Sequence, residues 1–223
     1  MTHVITKIDR VPQEMVEKFR KLAVATVYEA SGRYGDVDCR IKPIHKGIKI
    51  CGSVLTVQCH PRDNLMLHKA LEIAKPGEII VAATGGHPNA GYWGDLMATS
   101  AVARDVGGLA IDGCIRDSEE IIEMGFPVFS RGFAITGTVK NTLGKVNHPI
   151  LFGGIQVKPG DLILGDDDGM VVVEQSRIQE VYEKACSRVE KEVEKAKILK
   201  SGVSSVEFNS LDKKFEKLGL IQE

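Results

Sequence analysis

No stretch of this sequence approaches the roughly eighteen consecutive apolar residues that a membrane-spanning helix needs. Its opening, from Thr2 to Met15, is polar where a secretion signal would carry an apolar core. These absences predict a protein without a spanning helix or a secretory leader, and hence a cytoplasmic one. Charge of one sign is lacking too. Twenty-nine Lys and Arg stand against 30 Asp and Glu, a formal net charge of −1, so no overall field recruits nucleic acid or an anionic membrane. The cysteines Cys39, Cys51, Cys59, Cys114 and Cys186 are odd in number, widely spaced and free of any C-x-x-C pair. That excludes a disulfide framework and a cysteine zinc site, and predicts reduced thiols packed as small apolar side chains. Internal repeats, low-complexity tracts and flexible linkers are also missing. The chain therefore reads as a single domain over residues 1–223, with 43% hydrophobic residues, enough for a core that needs no cross-links.

What is present alternates between strand and helix patterns. Met15, Phe19 and Leu22 mark one face of a first helix, and a second runs from Val24 to Ala30 before Gly32. Gly47 to Cys59 is Ile/Val-rich and predicts a strand; Asn64 to Ala74 predicts a helix closed by Lys75-Pro76-Gly77. A strand over Glu78–Thr84, a glycine-rich loop over Gly85–Gly94, and a helix over Asp95–Val106 follow. The cycle then repeats as a strand over Gly108–Asp112, a short loop, and a helix over Ser118–Met124. Strand-loop-helix twice over predicts adjacent parallel strands, with both strand-to-helix loops at the carboxyl edge of the sheet, where α/β sites form.

Beyond Pro127, strands are expected over Phe133–Val139, Ile155–Lys158, Asp161–Gly165 and Gly169–Glu174, in a mixed or second sheet. Asp166 to Asp168, followed by Gly169, reads as a hairpin turn rather than a metal site. A last helix is expected from Ser176, with Gln179 completing a capping box. Its apolar stripe is Ile178, Val181, Tyr182, Ala185, Val189 and Val193, and Gly202 ends it.

The chemistry-bearing constellation is Gly91-Tyr92-Trp93-Gly94-Asp95, with Arg116-Asp117 in the next strand-to-helix loop. It would gather two carboxylates and a guanidinium where the backbone N–H groups of Leu96 and Met97, at a helix start, find no helical acceptor. A hard divalent cation on Asp117, magnesium or manganese rather than zinc given oxygen ligands, could polarise a keto oxygen as an enolate forms. Arg116 could steady the same oxygen or clamp a carboxylate. The same residues admit a plainer reading, in which Asp95 and Asp117 are helix N-caps and Arg116 pairs the loops together. His60, His68 and His87 read as histidines without proton-transfer duty. Trp93 reads as either a substrate wall or an aromatic packed under the loop.

Gly91-x-x-x-Asp95, then Arg116-Asp117 with Glu119 and Glu120 behind it, resembles the class II pyruvate aldolases of the 4-hydroxy-4-methyl-2-oxoglutarate / 4-carboxy-4-hydroxy-2-oxoadipate aldolase type, within the RraA-like family. Val27-Tyr28-Glu29-Ala30, Asp63-Asn64-Leu65-Met66, Glu123 to Val128 and Asp166-Asp167-Asp168-Gly169 extend the resemblance over roughly residues 20–195. It implies a three-layer β/β/α swivelling-type α/β domain with N- and C-terminal helices, the C-terminal helix and tail occupying residues 176–223. It also implies a homotrimer or hexamer with sites at subunit boundaries. Asp117 and Asp95 would hold Mg2+ or Mn2+, with Glu192 as a further metal-site carboxylate and Glu29 as an acidic catalytic-site residue, both from a neighbouring subunit. Arg116, Gly94, Leu96 and Met97 would bind the small 2-oxo acid, with Arg116, Asp95 and Glu29 catalytic. The implied activity is cleavage of a 4-hydroxy-2-oxo acid to pyruvate, with oxaloacetate decarboxylation on the side. A dedicated oxaloacetate decarboxylase and a non-catalytic regulator of an endoribonuclease are the alternatives; the regulator branch tends to lack the aspartate that stands here as Asp117. The resemblance assigns no role to the loop Gly85–Ala90.

Overall fold

A computed structural model describes residues 2–222 of the chain. Two short helices, α1 (Gln13–Phe19) and α2 (Val24–Ala30), lead into β1 (Lys42–Pro43) and the long β2 (Ile50–Gln58). Then come α3 (Leu65–Ile73), β3 (Ile79–Ala83), α4 (Asp95–Val102), β4 (Gly108–Asp112), β5 (Cys114–Ile115) and α5 (Ser118–Glu123). Short strands follow: β6 (Val128–Ser130), β7 (Gly132–Phe133), β8 (Lys145–Val146), β9 (Ile150–Phe152), β10 (Ile155–Val157), β11 (Leu162–Asp166) and β12 (Gly169–Val173). A 3-10 turn over Gln175–Arg177 opens α6 (Ile178–Lys200), and α7 (Ser205–Phe208) and α8 (Asp212–Leu218) end the described chain.

The main sheet runs β1-β6-β4-β3-β2-β11-β12, with β8 on the end of β2. Within it β2, β3, β4 and β6 are mutually parallel, while β1, β8, β11 and β12 pair antiparallel. β3 reads IIVAA, buried at every position, as a parallel strand covered on both faces must be. Its alternate side chains serve different layers. Ile80 and Ala82 join the helix-side core with Leu67, Ala98 and Ile121, whereas Ile79, Val81 and Ala83 meet Ile150, Phe152 and Val157 of the β9–β10 hairpin. Hairpin, sheet and helices thus make the β/β/α layering expected from the family resemblance. A third core joins Phe19, Val27, Val181 and Ala185 of the terminal helices to Leu162, Leu164, Val171 and Val173.

The sheet curls until its edges nearly meet. Lys42 on edge strand β1 donates from Nζ to the Asp168 carbonyl, in the turn beyond the opposite edge, at 2.6 Å. Between them Gly165 has no room for a side chain: a Cβ there would stand 2.8 Å from Met170 Cγ and 2.9 Å from Phe129 Cζ. Asp166 and Gly169 pair directly, so the triple aspartate is the expected hairpin turn, with Asp166 Oδ1 accepting from the Asp168 N–H at 3.0 Å.

Three local expectations need correction. The capping box at Ser176 does not form, because Gln179 turns its amide to Glu183 Oε1, 2.6 Å away and one helical turn on. The helix predicted over Asp95–Val106 ends at Val102, and its last turn loosens around Asp105, which takes a positive φ of 57°. The strand predicted over Phe133–Val139 shrinks to Gly132–Phe133. Phe133, Ile135 and Val139 are exposed, so no core face aligns that segment with a sheet; its backbone groups go instead to the loops described below.

Replacing Gly165 with Ala is expected to cost about 1–3 kcal/mol through overpacking, read as a lowered midpoint in urea denaturation with an unchanged slope. An unaltered midpoint would show that the curl has slack at this point.

Candidate active site

Because β3 and β4 are parallel and paired along their whole length, the loops leaving their carboxyl ends lie side by side, as expected. Backbone hydrogen bonds fasten them. Tyr92 N–H donates to the Cys114 carbonyl at 3.0 Å, Cys114 N–H to Pro88 at 2.9 Å, and Arg116 N–H to Trp93 at 2.9 Å. Trp93 lies buried and stacked on Phe126, ring centroids 5.8 Å apart. That resolves the two readings of this residue: it is an anchor under the loop, not a substrate wall. The Tyr92 hydroxyl donates to the His87 carbonyl at 2.7 Å and accepts from the Arg62 N–H at 2.8 Å, tying the glycine-rich loop down.

On this base sit the charged groups. Gly94 is the N-cap of α4 and Asp95 its first residue. Asp117 occupies the N-cap position of α5 with a left-handed φ of 55°, yet makes no cap bond to its own helix. Its Oδ2 instead accepts from the Asp95 N–H at 3.3 Å and stands 3.3 Å from Arg116 Nε. The carboxylate therefore rests on the amino terminus of the neighbouring helix, where the unpaired N–H groups and the dipole both favour it. Gly94 is what lets it come so close, since a Cβ would lie 2.4 Å from Asp117 Oδ2. The plain reading of these residues as N-caps is half met: Asp117 caps a helix, but not its own, and Asp95 caps none.

Arg116 forms a ridge between two clefts. One, about 160 Å³, is lined by Gly94, Asp95, Leu96, Met97 and Arg116 together with residues from α3 and the 137–140 strap. The other, about 320 Å³, is lined by Arg116, Asp117, Ser118, Phe133 and Ile135. The first volume corresponds to roughly five waters, the scale of a small organic acid. Leu96 is 78% exposed at its rim. Of the two N–H groups expected to be free, the Met97 one donates to the Gly94 carbonyl at 3.1 Å, closing the first turn. The Leu96 N–H has no acceptor among the described residues.

Glu29 and Glu192 are not brought to these clefts within one chain. They meet each other across α2 and α6 through Arg188, which lies 2.7 Å from Glu192 Oε1 and 3.8 Å from Glu29 Oε2, and Glu29 also pairs with Arg33 at 3.2 Å. Among the described residues no three His, Cys, Asp or Glu side chains gather as a metal site. The donor set nevertheless suits a hard, water-rich divalent cation. Asp117 keeps Oδ1 without a protein partner, and neither Asp95 carboxylate oxygen has one among the described residues.

Asn64, His68, Thr138 and Lys140 line the first cleft and were not foreseen as site residues. Asn64, the N-cap of α3, and His68, inside that helix, stand four positions apart, a weak signal in the sequence. Lys140 has none, because it is brought in from a distant segment. His68 titrates below its ordinary range, through burial first and then the positive charge of Lys140. His87 lies outside both clefts. All five cysteines are free. Burial pushes the Cys51 and Cys59 thiols up to about 12, so these two are inert packing groups as expected, while Cys39 is exposed and does not fit that description. Among the described residues no helix is long and apolar enough to cross a membrane.

Residues 24–172 match the sequence profile of the RraA-like family, described as Aldolase/RraA. A Halalkalibacterium halodurans protein provisionally named a 4-hydroxy-4-methyl-2-oxoglutarate aldolase is 33% identical over 172 residues, covering 77% of this chain and 82% of that protein. The crystal structure of an uncharacterized Pseudomonas syringae protein superposes with a TM-score of 0.80 at 27% identity, covering 91% of this chain and all of the other. The structure of Streptomyces coelicolor RraAS2, described as an unusual member of the RNase ES inhibitor RraA family, matches at TM-score 0.77 and 26% identity, covering 85% of this chain and 99% of that one.

Gly94→Ala is expected to fold with a loss of only about 1 kcal/mol, since the obstacle is a side chain that can turn, and to push Asp117 off the Asp95 amide. The check is the Asp117 side-chain carboxyl resonance, which should shift while core resonances stay put; an unmoved resonance contradicts the close-packing account.

Proposed function

Because the chain belongs to the RraA-like family, we propose that it is a divalent-metal-dependent class II aldolase that cleaves a 4-hydroxy-2-oxo acid, such as 4-hydroxy-4-methyl-2-oxoglutarate, to pyruvate and a second oxo acid. The observation that carries this reading is the convergence of Arg116, Asp117, Asp95 and the α4 amino terminus on adjoining clefts. Asp117 and Asp95 would hold Mg2+ or Mn2+, with Glu192 of another subunit as a further acidic group. When bound, the cation supplies Lewis-acid stabilisation of negative charge on the keto oxygen.

The chain's own residues do the rest. Arg116 donates to the keto oxygen of the pyruvyl half and holds it still. The free Leu96 N–H and the positive end of α4 receive that half's carboxylate. A water, or the Asp95 carboxylate that has no protein partner, takes the proton of the 4-hydroxyl. The O–H electrons become a new carbonyl, and the bond between the third and fourth carbons breaks. Its electron pair passes to the pyruvate enolate, whose oxygen charge Arg116 offsets. A water beside Asp95 then protonates the third carbon, and pyruvate leaves. Oxaloacetate, which loses carbon dioxide through the same enolate, is a side substrate, and a dedicated oxaloacetate decarboxylase would use the same residues. The likeness to the Streptomyces coelicolor protein supports a second reading, a regulator that binds an endoribonuclease. Asp117, the aspartate that the regulator branch tends to lack, stands 3.3 Å from the Arg116 guanidinium and favours chemistry over that reading.

Two measurements test the proposal. Pyruvate release from 4-hydroxy-4-methyl-2-oxoglutarate, followed with lactate dehydrogenase, should need added Mg2+ or Mn2+ and fall at least about 100-fold in Arg116→Ala, the scale of losing one preorganised donor. Full turnover in excess EDTA would sink the metal-dependent reading. If Glu29 and Glu192 act across subunits, mixing Glu29→Ala protein with Asp117→Ala protein under conditions of subunit exchange should restore part of the activity. No recovery despite proven exchange would remove the shared site.

A further inference from the structure

The far wall of the first cleft is built from a segment that makes no regular structure. Residues 137–142 form a strap whose 139–142 part is laid across the start of α3. Asp63, only 1% exposed, holds it: its Oδ2 accepts from the Asn141 and Thr142 N–H groups at 2.7 and 2.8 Å, while Oδ1 accepts from Leu65 at 2.8 Å. Val139 adds a reciprocal pair, donating to the Arg62 carbonyl at 2.9 Å and accepting from Asn64 at 3.1 Å. Three N–H groups on one buried carboxylate make a stiff mount, because releasing any of them leaves that carboxylate short of partners. Between the fastened positions stands Lys140.

The strap spans the cleft. At one end is Gly137, where a Cβ would lie 3.6 Å from a terminal nitrogen of Arg116; at the other, Lys140 lies near enough to His68 for its charge to be felt there. Arg116 and Lys140 line the same small cleft. Lys140 makes no salt bridge among the described residues, and Arg116 pairs only with Asp117. Asn64 in the same lining is 6% exposed. Its Nδ2 donates to the Tyr92 carbonyl at 2.9 Å, which fixes the amide orientation and leaves Oδ1 a buried acceptor with no partner. The lining therefore offers a second cation on a rigid mount and an unsatisfied polar group, both away from Asp117.

We propose that Lys140 is the specificity-determining residue of this cleft, pairing with a carboxylate on the part of the ligand remote from the pyruvyl group, so that a 2-oxo dicarboxylate is gripped at both ends. The proposal rests on the reading that Arg116 takes the pyruvyl end. It assigns recognition of the departing fragment to the 137–140 strap rather than to the Gly85–Ala90 loop. Burial and the neighbouring ammonium both disfavour a charged His68, leaving Lys140 as the cation of that wall.

The test is binding, not turnover. 2-Oxoglutarate and 2-oxopentanoate share the 2-oxo acid head and the chain length and differ in the terminal carboxylate; neither has the 4-hydroxyl that cleavage needs. Titration calorimetry in Mg2+ should show wild-type protein binding 2-oxoglutarate about tenfold more tightly or better, with the gap narrowing as salt is raised. Lys140→Met should bring the two ligands within about twofold of each other by removing that charged pair. Lys140→Arg should keep most of the gap. No preference in the wild type, or a preference that survives in Lys140→Met, overturns the proposal. If the Lys140-dependent preference is found but no hydroxylated acid is cleaved with any metal, the aldolase reading fails alone and the subsite stands.

Discussion

One carboxylate resting on one backbone amide organises the functional end of this molecule. Asp117 ends the loop after β4, yet its Oδ2 reaches the Asp95 N–H that begins the helix after β3. The contact spans two successive strand-loop-helix units and depends on their being parallel neighbours in register. Without that register the left-handed turn at Asp117 would aim its side chain at solvent. With it, the carboxylate meets a helix terminus that already lacks acceptors and brings the Arg116 guanidinium alongside. Gly94, the buried Trp93 and the Tyr92 hydroxyl serve this one meeting, by leaving room, by anchoring, and by tethering the glycine-rich loop.

The layers explain why such a meeting can be held steady. Side chains of β3 alternate between a helical core and a hairpin core, so the strand that launches the first loop is fixed from both faces. A close-packed interior of this kind resists displacement by even a methyl group. The loops then vary in chemistry without the scaffold giving way, which is how related chains of one fold can carry different duties. The exposed Phe133, Ile135 and Val139 near the clefts belong to a segment whose hydrogen bonds run to the loops themselves, so the site's outer wall is part of its own fastening.

Much of this was legible from residue order alone. The parallel pair, the carboxyl-edge loops and the gathering of Asp95, Arg116 and Asp117 follow from apolar runs and glycine punctuation, because local pattern and tertiary contact agree there. The capping box failed because Gln179 had a nearer competitor in Glu183, a choice that motif spacing does not record. The strand at Phe133–Val139 failed because apolar composition was read as burial where the structure leaves the side chains exposed. Lys140 was invisible for a different reason. Its place is set by Asp63, far away in the chain, through bonds from backbone N–H groups, and donation by the backbone leaves no signature in the donor's residue type.

That last case bears on how specificity arises on this scaffold. The groups proposed for bond breaking, Asp95, Arg116 and Asp117, sit on helix starts whose positions the sheet dictates. The groups facing the remote half of the ligand sit on a strap whose position one buried carboxylate dictates. A carboxylate that accepts backbone N–H groups is indifferent to the side chains those residues carry. The residue at position 140 can therefore change without loosening the strap, and the reacting end would be untouched. Asp63 itself has no such latitude: burial is the largest single influence and pushes its carboxyl up, but three backbone N–H bonds together outweigh it and hold the group below its usual range. Its contribution to folding is then present above the ordinary aspartate range and lost as pH falls through the lowered value. The scaffold thus separates what must stay from what is free to vary, placing the proposed reaction on rigid secondary structure and the proposed choice of ligand on a strap that one buried carboxylate holds by its backbone N–H groups.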